Sequence, residues 1–306
     1  MTSLITGTPP NFFEVIGNSL PALLREIPND FKGHFAKLFN LLQIRIALRT
    51  ISSVYQTQLG SNEIRCDWKD PVFRCAYVFL YFVKHSHLVY DSLLENRLFF
   101  DVLWALRKHQ RGGTIRVCSI GGGPGSDIAG VMAFLKAINY EQDLRCSVLD
   151  YYPEWRSTWE GIQKQIPRSK IKTVDVQYLR FDMTDDRSFT RTVMDTLNDA
   201  DLVTFVKSFS TVSTVSSVYT SVLPNIMKAL ESGTFLLFID NTGNKTANTL
   251  FKTIAKKCGL FLLNEKVYNE RLSKPAPSNV DDLSAFFDYK PLRRCRVTMY
   301  LFLKKY

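Results

Sequence analysis

Beyond residue 113 the hydrophobic positions come in short runs separated by amphipathic stretches. The runs at 114–120, 144–150, 176–183, 201–207 and 234–240 are dense in Val, Ile, Leu and Phe and read as strands one to five. Two more follow Gly259 and Arg294, over 260–268 and 295–304. Helical stretches lie between most of them, at 128–138, 213–231 and 244–258. Strands alternating with helices predict a mostly parallel sheet covered on both faces. The last pair differs, because a loop rich in Pro and Asp joins it with no crossover helix, which predicts an antiparallel final strand.

The front third is of other material. Residues 29–59 carry Phe31, Phe35, Leu38, Phe39, Leu42, Ile46 and Leu48 at roughly helical spacing with Lys and Arg between them, and 71–109 continues in that style. Turn signals at Pro9-Pro10, Pro28-Asn29-Asp30, Gly60-Ser61-Asn62 and Arg111-Gly112-Gly113 punctuate it. The aromatic run Tyr77 to Phe82 reads as core. The fold class is therefore α/β: a doubly wound, mostly parallel seven-stranded sheet with an antiparallel last strand, preceded by a helical N-terminal domain. The expected division is 1–111 for the helical extension and 112–306 for the core.

The first strand runs straight into Gly121-Gly122-Gly123-Pro124-Gly125-Ser126-Asp127, and a helix-compatible apolar stretch follows. Such a turn presents backbone to a ligand and aims the free N–H groups of a helix at it. A phosphate loop would continue with Lys and Ser or Thr, and here the chain continues Ser126-Asp127. The dinucleotide pattern G-x-G-x-x-G fails at its third glycine, where Ser126 stands. Asp127 also places a carboxylate where a pyrophosphate would sit. The turn suits a ligand with a positive centre and no phosphate. The spacing Gly121-x-Gly123-x-Gly125 after an apolar strand resembles the first motif of the class I S-adenosylmethionine-dependent methyltransferases. The second strand ends in Asp150, which in a doubly wound fold accepts from the ribose hydroxyls. The third strand ends Phe181-Asp182-Met183; the resemblance implies that Asp182 meets the adenine amino group, with Met183 as a wall. It implies S-adenosyl-L-methionine as cofactor, held by Gly121, Gly122, Gly123, Gly125, Asp150, Asp182 and Met183, and a variable helical extension covering the cofactor cleft and shaping the substrate site. The likeness spans roughly 112–306 and is silent about the substrate.

A chain of 306 residues fits one large or two modest domains. Its longest unbroken apolar run, 76–83, is too short to span a bilayer, and no positive charge precedes Arg25, so no membrane association and a cytosolic or nuclear place are expected. The six cysteines form no C-x-x-C pair and no ligand cluster with the four histidines; reduced, metal-free thiols are expected, with Cys118 and Cys146 inside buried strands. The net charge of +10 invites an RNA reading. The excess is spread, however: 13 Lys and Arg against 9 Asp and Glu in 1–111, and 26 against 20 in 112–306. Local clusters stand at 168–172, 256–257 and 293–296.

The acceptor site of this family lies at the ends of strands four and five, and here strand four ends Val206-Lys207-Ser208-Phe209-Ser210-Thr211. The segment lacks the acidic Pro-Pro-aromatic pattern of base amino-group methylation, the Cys of pyrimidine carbon methylation and the Asp of ribose methylation. Lys207 is the candidate catalytic residue, as a base or as a holder of an anionic acceptor. Ser208, Phe209 and Ser210 are expected to line the substrate cleft. His85 and His87 read as surface histidines of a helix, and as bases only if that helix folds over the cleft. Two functions remain: an active methyltransferase, with RNA slightly preferred over protein or a small molecule on charge alone, or a non-catalytic scaffold that positions a partner protein. A nicotinamide-dependent oxidoreductase fails on Ser126 and on the lack of a Tyr-x-x-x-Lys set.

Overall fold

A computed structural model describes residues 11–28, 33–56, 66–101, 113–167 and 170–305. Its strands are β1 Ile115–Ile120, β2 Leu144–Asp150, β3 Val174–Arg180, β4 Leu202–Val206, β5 Phe235–Asn241, β6 Leu260–Tyr268 and β7 Val297–Lys304. They form one seven-stranded sheet in the order β3-β2-β1-β4-β5-β7-β6. Strands β1 to β5 run parallel. The expected antiparallel strand is β7, which slots between β5 and β6 and pairs with both, from Phe235↔Leu303 to Asn241↔Val297 on one side.

Alternate residues of each strand face opposite ways, so the sheet builds two cores. Val117, Val148, Leu237 and Leu301 belong to one; Cys118, Leu149, Phe238 and Phe302 belong to the other. Helices α7 Arg191–Asp199, α8 Leu223–Ala229 and α9 Lys245–Lys257 cover the second face. The first face carries α5 Ser126–Ala137 and α6 Trp155–Gln163 together with the N-terminal helices. These are α1 Phe12–Arg25, α2 Gly33–Gln56, α3 Pro71–Tyr77 and α4 Val83–Glu95, the last two joined by a π-turn at Val78–Phe82. Helices α4 and α5 approach so closely that a Cβ at Gly130 would stand 2.6 Å from the Ser86 carbonyl oxygen. The helical extension therefore shares one apolar core with the sheet.

Three elements depart from the sequence expectation. Helix α1 was not anticipated; it starts at Asn11, whose side chain accepts from the Phe13 N–H at 3.2 Å, and it contains Pro21. Helix α10, Ser278–Phe287, occupies the Pro- and Asp-rich connection expected to be a loop, and buries Val280 and Phe287. Helix α2 buries Ile44, Ala47, Leu48 and Ile51 and leaves Phe35, Leu38, Phe39, Leu42 and Ile46 exposed. The helix is apolar on two faces, so spacing alone could not tell which one is inside. Phe31, residues 102–109 of the second helical stretch, Arg168-Ser169 and the turn residues Pro9-Pro10, Asn29-Asp30, Gly60-Ser61-Asn62 and Arg111-Gly112 lie outside the described residues. Among the described residues the six thiols are free, no helix is long and apolar enough to cross a membrane, and no group of His, Cys, Asp or Glu is placed to hold a metal ion.

One buried carboxylate ties α5 to the sheet. Asp127 is 2% exposed, and one of its oxygens accepts from the Ser119 hydroxyl of β1 at 2.7 Å and from the Thr204 hydroxyl of β4 at 2.6 Å. Burial pushes its carboxyl up to about 6 against the opposing pull of those hydroxyls. A folded-state value above the unfolded one means the folded chain holds the proton more tightly. The ionised group thus costs stability at neutral pH, and that cost disappears as pH falls from about 6 toward 4. Asp127→Ala removes the charge but leaves two buried hydroxyls without an acceptor, so its urea-unfolding free energy at pH 7 is expected to lie about 1–3 kcal/mol below that of Asp127→Asn. Asp127→Asn keeps the acceptor oxygen without the charge, and its stability should match or exceed wild type at that pH while losing the acid-side rise.

Candidate cofactor and acceptor site

The turn after β1 is tight because its glycines allow close approach. Gly121 and Gly123 have φ of 65° and 47°, where side chains are disfavoured. A Cβ on Gly121 would come within 2.5 Å of the Ser208 Cβ, one on Gly122 would overlap the Ser119 hydroxyl, and one on Gly125 would overlap the Trp159 ring. Gly123 is different, since its Cβ would meet only Trp155 at 3.7 Å. Gly122 and Gly125 thus serve packing inside the protein, whereas a Cβ on Gly123 would make only ordinary van der Waals contact with the Trp155 ring, so packing alone does not demand glycine there. Its own amide is clamped on both sides: the N–H donates to Asp150 Oδ2 at 3.0 Å, and the Tyr178 hydroxyl of β3 donates to its carbonyl oxygen at 3.2 Å.

The strand-end acids converge on this turn. Asp150, the last residue of β2, takes the Gly123 amide on one oxygen and the Tyr152 amide on the other at 2.9 Å. Its side chain keeps some surface, yet the protein around it pushes the carboxyl up to about 6 by desolvation, against those two amides. Asp182, just past β3, accepts on Oδ1 from the Thr184 amide at 2.8 Å and hydroxyl at 2.6 Å. Among the described residues nothing donates to its Oδ2. The Asp182 amide itself donates to the Ser188 hydroxyl at 3.1 Å, which fixes the loop.

A cavity of about 530 Å³ opens over the carboxyl ends of these strands, within the size range of small-molecule sites. Gly121, Gly123, Asp150, Asp182, Met183, Lys207 and Ser208 line it, so most of the residues singled out in sequence share one space. Gly122, Gly125, Phe209 and Ser210 do not line it. Phe209 is 1% exposed and lies in the core against Phe238 and Phe251, with ring centroids 5.7 and 5.1 Å away. The Ser210 amide donates to Asp240 at 2.7 Å. Ser208 lines the cavity while its hydroxyl donates to the Ile120 carbonyl oxygen at 2.8 Å, closing β4 onto β1.

The wall beside the turn is aromatic and was not read from the sequence. Trp68, Tyr77 and Trp155 line the cavity with their ring centroids 5.3 to 5.6 Å apart. Arg74, itself buried, holds this wall: its guanidinium donates to the Trp68 carbonyl oxygen at 2.9 Å and to the Thr158 hydroxyl of α6 at 3.0 Å. Tyr151 and Tyr152 complete the lining next to Asp150. The cluster Tyr151-Tyr152-Pro153-Glu154-Trp155 directly after a strand-end acid was the available signal. Tyr77 leaves the expected core for the cavity, whereas Phe79 and Phe82 of the same run are fully buried.

Lys207 stands at the end of β4 with φ 58°, a left-handed conformation of a bulky residue that costs about 1–3 kcal/mol and is typical of functional positions. Its ammonium donates to the Asn241 side-chain oxygen at the end of β5. Burial pushes its pKa down, and neighbouring Asp240 opposes that shift. Asp240 is 1% exposed and accepts from the Asn241 and Ser210 amides at 2.6 and 2.7 Å; burial raises its pKa and Lys207 opposes the rise. His85 and His87 are not on the surface; they are 4% and 6% exposed. His85 stacks on Tyr81 at 5.6 Å, lies 6.2 Å from the Tyr77 ring, and has an Nε2 with no partner. Burial first, and then Lys207 and Lys84, push its pKa down to about 3. His87 packs edge-on to Phe12 at 4.9 Å, in the interior between α1 and α4.

No family model matches the chain, and no curated protein matches it by sequence. Solved structures similar to it include a precorrin-6y C5,15-methyltransferase from Geobacter metallireducens, at 12% identity over 62% of this chain and 80% of that one, TM-score 0.35. A methyltransferase dependent on S-adenosylmethionine from Methanosarcina mazei is similar at 9% identity, 62% and 92% coverage and TM-score 0.39. A TehB-like enzyme of that type from Corynebacterium glutamicum is similar at 15%, 62% and 80%, and 0.35. These likenesses are remote, and the fold is assigned on strand order instead. A glycine turn leaving β1 of a β3-β2-β1-β4-β5-β7-β6 sheet, with β7 alone antiparallel, is the architecture of the class I S-adenosylmethionine-dependent methyltransferase fold.

Proposed function

We propose that this chain is an S-adenosylmethionine-dependent methyltransferase. One observation carries the reading: Gly121 and Gly123 of the turn and the acids Asp150 and Asp182 beyond β2 and β3 line one cavity of about 530 Å³. The donor set suits the cofactor chemically. Asp150 offers remaining lone pairs to two ribose hydroxyls, Asp182 offers Oδ2 to an amino group, and Met183 supplies an apolar edge. Lys207 is the one Lys or Arg among the described residues of the lining, and its ammonium is bonded to the Asn241 side chain at the end of β5. When bound, the cofactor supplies an electrophilic methyl group on a sulfonium. Gly123 and Asp150 hold it in place, the Trp68, Tyr77 and Trp155 wall excludes water, and the ends of β4 and β5 face the acceptor. Alignment of an acceptor lone pair with the methyl carbon is most of what such a reaction requires. The chain's net charge of +10 admits RNA as the acceptor. Several cations are paired on the surface, however, as in Lys170–Glu141 and Lys252–Glu265, each at 2.9 Å.

Calorimetric titration with S-adenosylmethionine and S-adenosylhomocysteine, with NAD as control, tests the reading. Micromolar binding of the first two and none of NAD is expected; no binding of either turns the assignment to a scaffold with a catalytic partner protein. Gly123→Val places side-chain atoms in the cavity beside the Trp155 ring and should abolish binding. Asp150→Asn should weaken S-adenosylhomocysteine by about 1–3 kcal/mol, or five- to more than a hundred-fold. The pH dependence follows from the raised Asp150 carboxyl. The ionised form, present above about pH 6, accepts the ribose hydroxyls, so affinity should fall as pH drops through 6, by at most ten-fold per unit. Asp150→Asn should flatten that profile, and Asp127→Asn, which removes another acid raised to about 6, should leave it in place.

A further inference from the structure

The sheet order divides the cavity into two ends. Asp182 at the end of β3 and Asp150 at the end of β2 lie to one side of the glycine turn, and Lys207 at the end of β4 and Asn241 at the end of β5 lie to the other. Neighbouring strands are about 4.8 Å apart, so β2 and β4 are separated by roughly 10 Å across β1. On the proposed function, the two acids are taken by the ribose and adenine. The methyl group then faces the β4 side. Among the described residues that line the cavity, Lys207 is the one cation, and no carboxylate remains at its end to hold an ammonium.

We infer that the methyl acceptor is a small aromatic molecule presenting an anionic oxygen, of the carboxylate or phenolate type, which Lys207 holds by charge against the wall of Trp68 and Tyr77. Resting on the proposed function, this inference names the substrate class of the same site. Lys207 is set up as an anion holder. Buried Asp240 nearby opposes the loss of its proton, and the Asn241 oxygen accepts one of its three donors, which leaves two. Its left-handed backbone at the strand end is a cost that ordinary surface lysines do not carry. A second feature points the same way. His85, close enough to Lys207 to feel its charge, is 4% exposed, neutral at pH 7 and outside the cavity lining, so among the described residues of the lining no imidazole or carboxylate stands at this end to take a proton. An anionic acceptor needs none. Its oxygen lone pair forms the new O–C bond while the S–C bond of the bound sulfonium breaks and its electron pair returns to sulfur; no proton is transferred, and one negative and one positive charge are consumed together.

The experiment uses the full chain saturated with S-adenosylhomocysteine and titrates three probes of one size calorimetrically: benzoate, benzyl alcohol and benzylamine. Benzoate should bind at least ten-fold more tightly than benzyl alcohol, and benzylamine more weakly than either. Lys207→Met should reduce benzoate to the level of benzyl alcohol, while Lys207→Arg should retain most of the preference. A 4-nitrophenolate arm at pH 8 separates the two oxygen types: tighter binding than benzoate assigns a phenolic acceptor, weaker binding a carboxylic one. Equal affinity for the three probes, a preference for benzylamine, or a benzoate preference unchanged in Lys207→Met overturns the inference. Should Lys207→Met fail to fold, the three-probe series on the wild-type chain still decides. If S-adenosylhomocysteine binds and benzoate does not, the substrate class falls while the methyltransferase reading stands; if S-adenosylhomocysteine itself does not bind, both fall.

Discussion

The bond from the Gly123 amide to the Asp150 carboxylate joins the two halves of the candidate site. It ties the loop leaving β1 to the end of β2, and the Tyr178 hydroxyl of β3 completes the clamp from the other side. Three adjacent strands are thereby coupled at one glycine. A carboxylate so enclosed is costly to ionise, which is why burial lifts Asp150 to about 6 in spite of two amide donors. The residue therefore has two tasks. It shapes the turn, and it keeps lone pairs turned toward the cavity. A glycine loop without such a clamp would lose more conformational freedom whenever a ligand ordered it.

The layer of helices added in front of the sheet is part of this arrangement. Gly130 lets α4 lie directly on α5, the helix that begins at the glycine turn, so the extension is anchored to the element that carries the site. From there the chain reaches the cavity twice, through Tyr77 at the end of α3 and through Trp68, which Arg74 pins to α6. A π-turn falls between Tyr77 and α4. It inserts one residue into the helical register, a feature often found at functional sites, and it aligns Tyr77, Tyr81 and His85 as a ladder of rings 5.0 and 5.6 Å apart.

Most of the sheet was legible because strand signals are local. The ends at Asp150 and Asp182 showed as polar residues closing apolar runs, and the antiparallel last strand showed as a missing crossover. Helix α10 was hidden because Pro277 at its start and the Asp residues within it look like loop punctuation. The outward apolar face of α2 could not be read, since periodicity reports that apolar residues share a face and not which way the face points. Among site residues, Gly121, Gly123 and Lys207 were visible by their place at strand ends. Trp68, Tyr77 and Trp155 were not, because the stretch holding Trp68 and Tyr77 and the distant one holding Trp155 meet only in the folded chain. Phe209 and Ser210 were adjacent to the cleft in sequence, yet the 3-10 turn at Phe209–Thr211 rotates Phe209 into the core and Ser210 onto Asp240.

The end of β4 shows how charge is placed rather than merely buried. Burying Lys207 alone would cost several kcal/mol, and so would burying Asp240 alone. The two lower each other's cost, while the Asn241 and Ser210 amides satisfy the carboxylate; the aspartate is buried outside the lining and Lys207 belongs to it. Satisfying Lys207 with a directly bonded carboxylate would have been cheaper, but it would have neutralised the one cation among the described residues of the lining. The bond instead goes to the neutral Asn241 oxygen, which orients the ammonium and leaves its charge available. An arrangement that keeps a positive charge only partly compensated, on a strained backbone, at the end of the cavity away from Asp150 and Asp182, is one that an anionic group would complete.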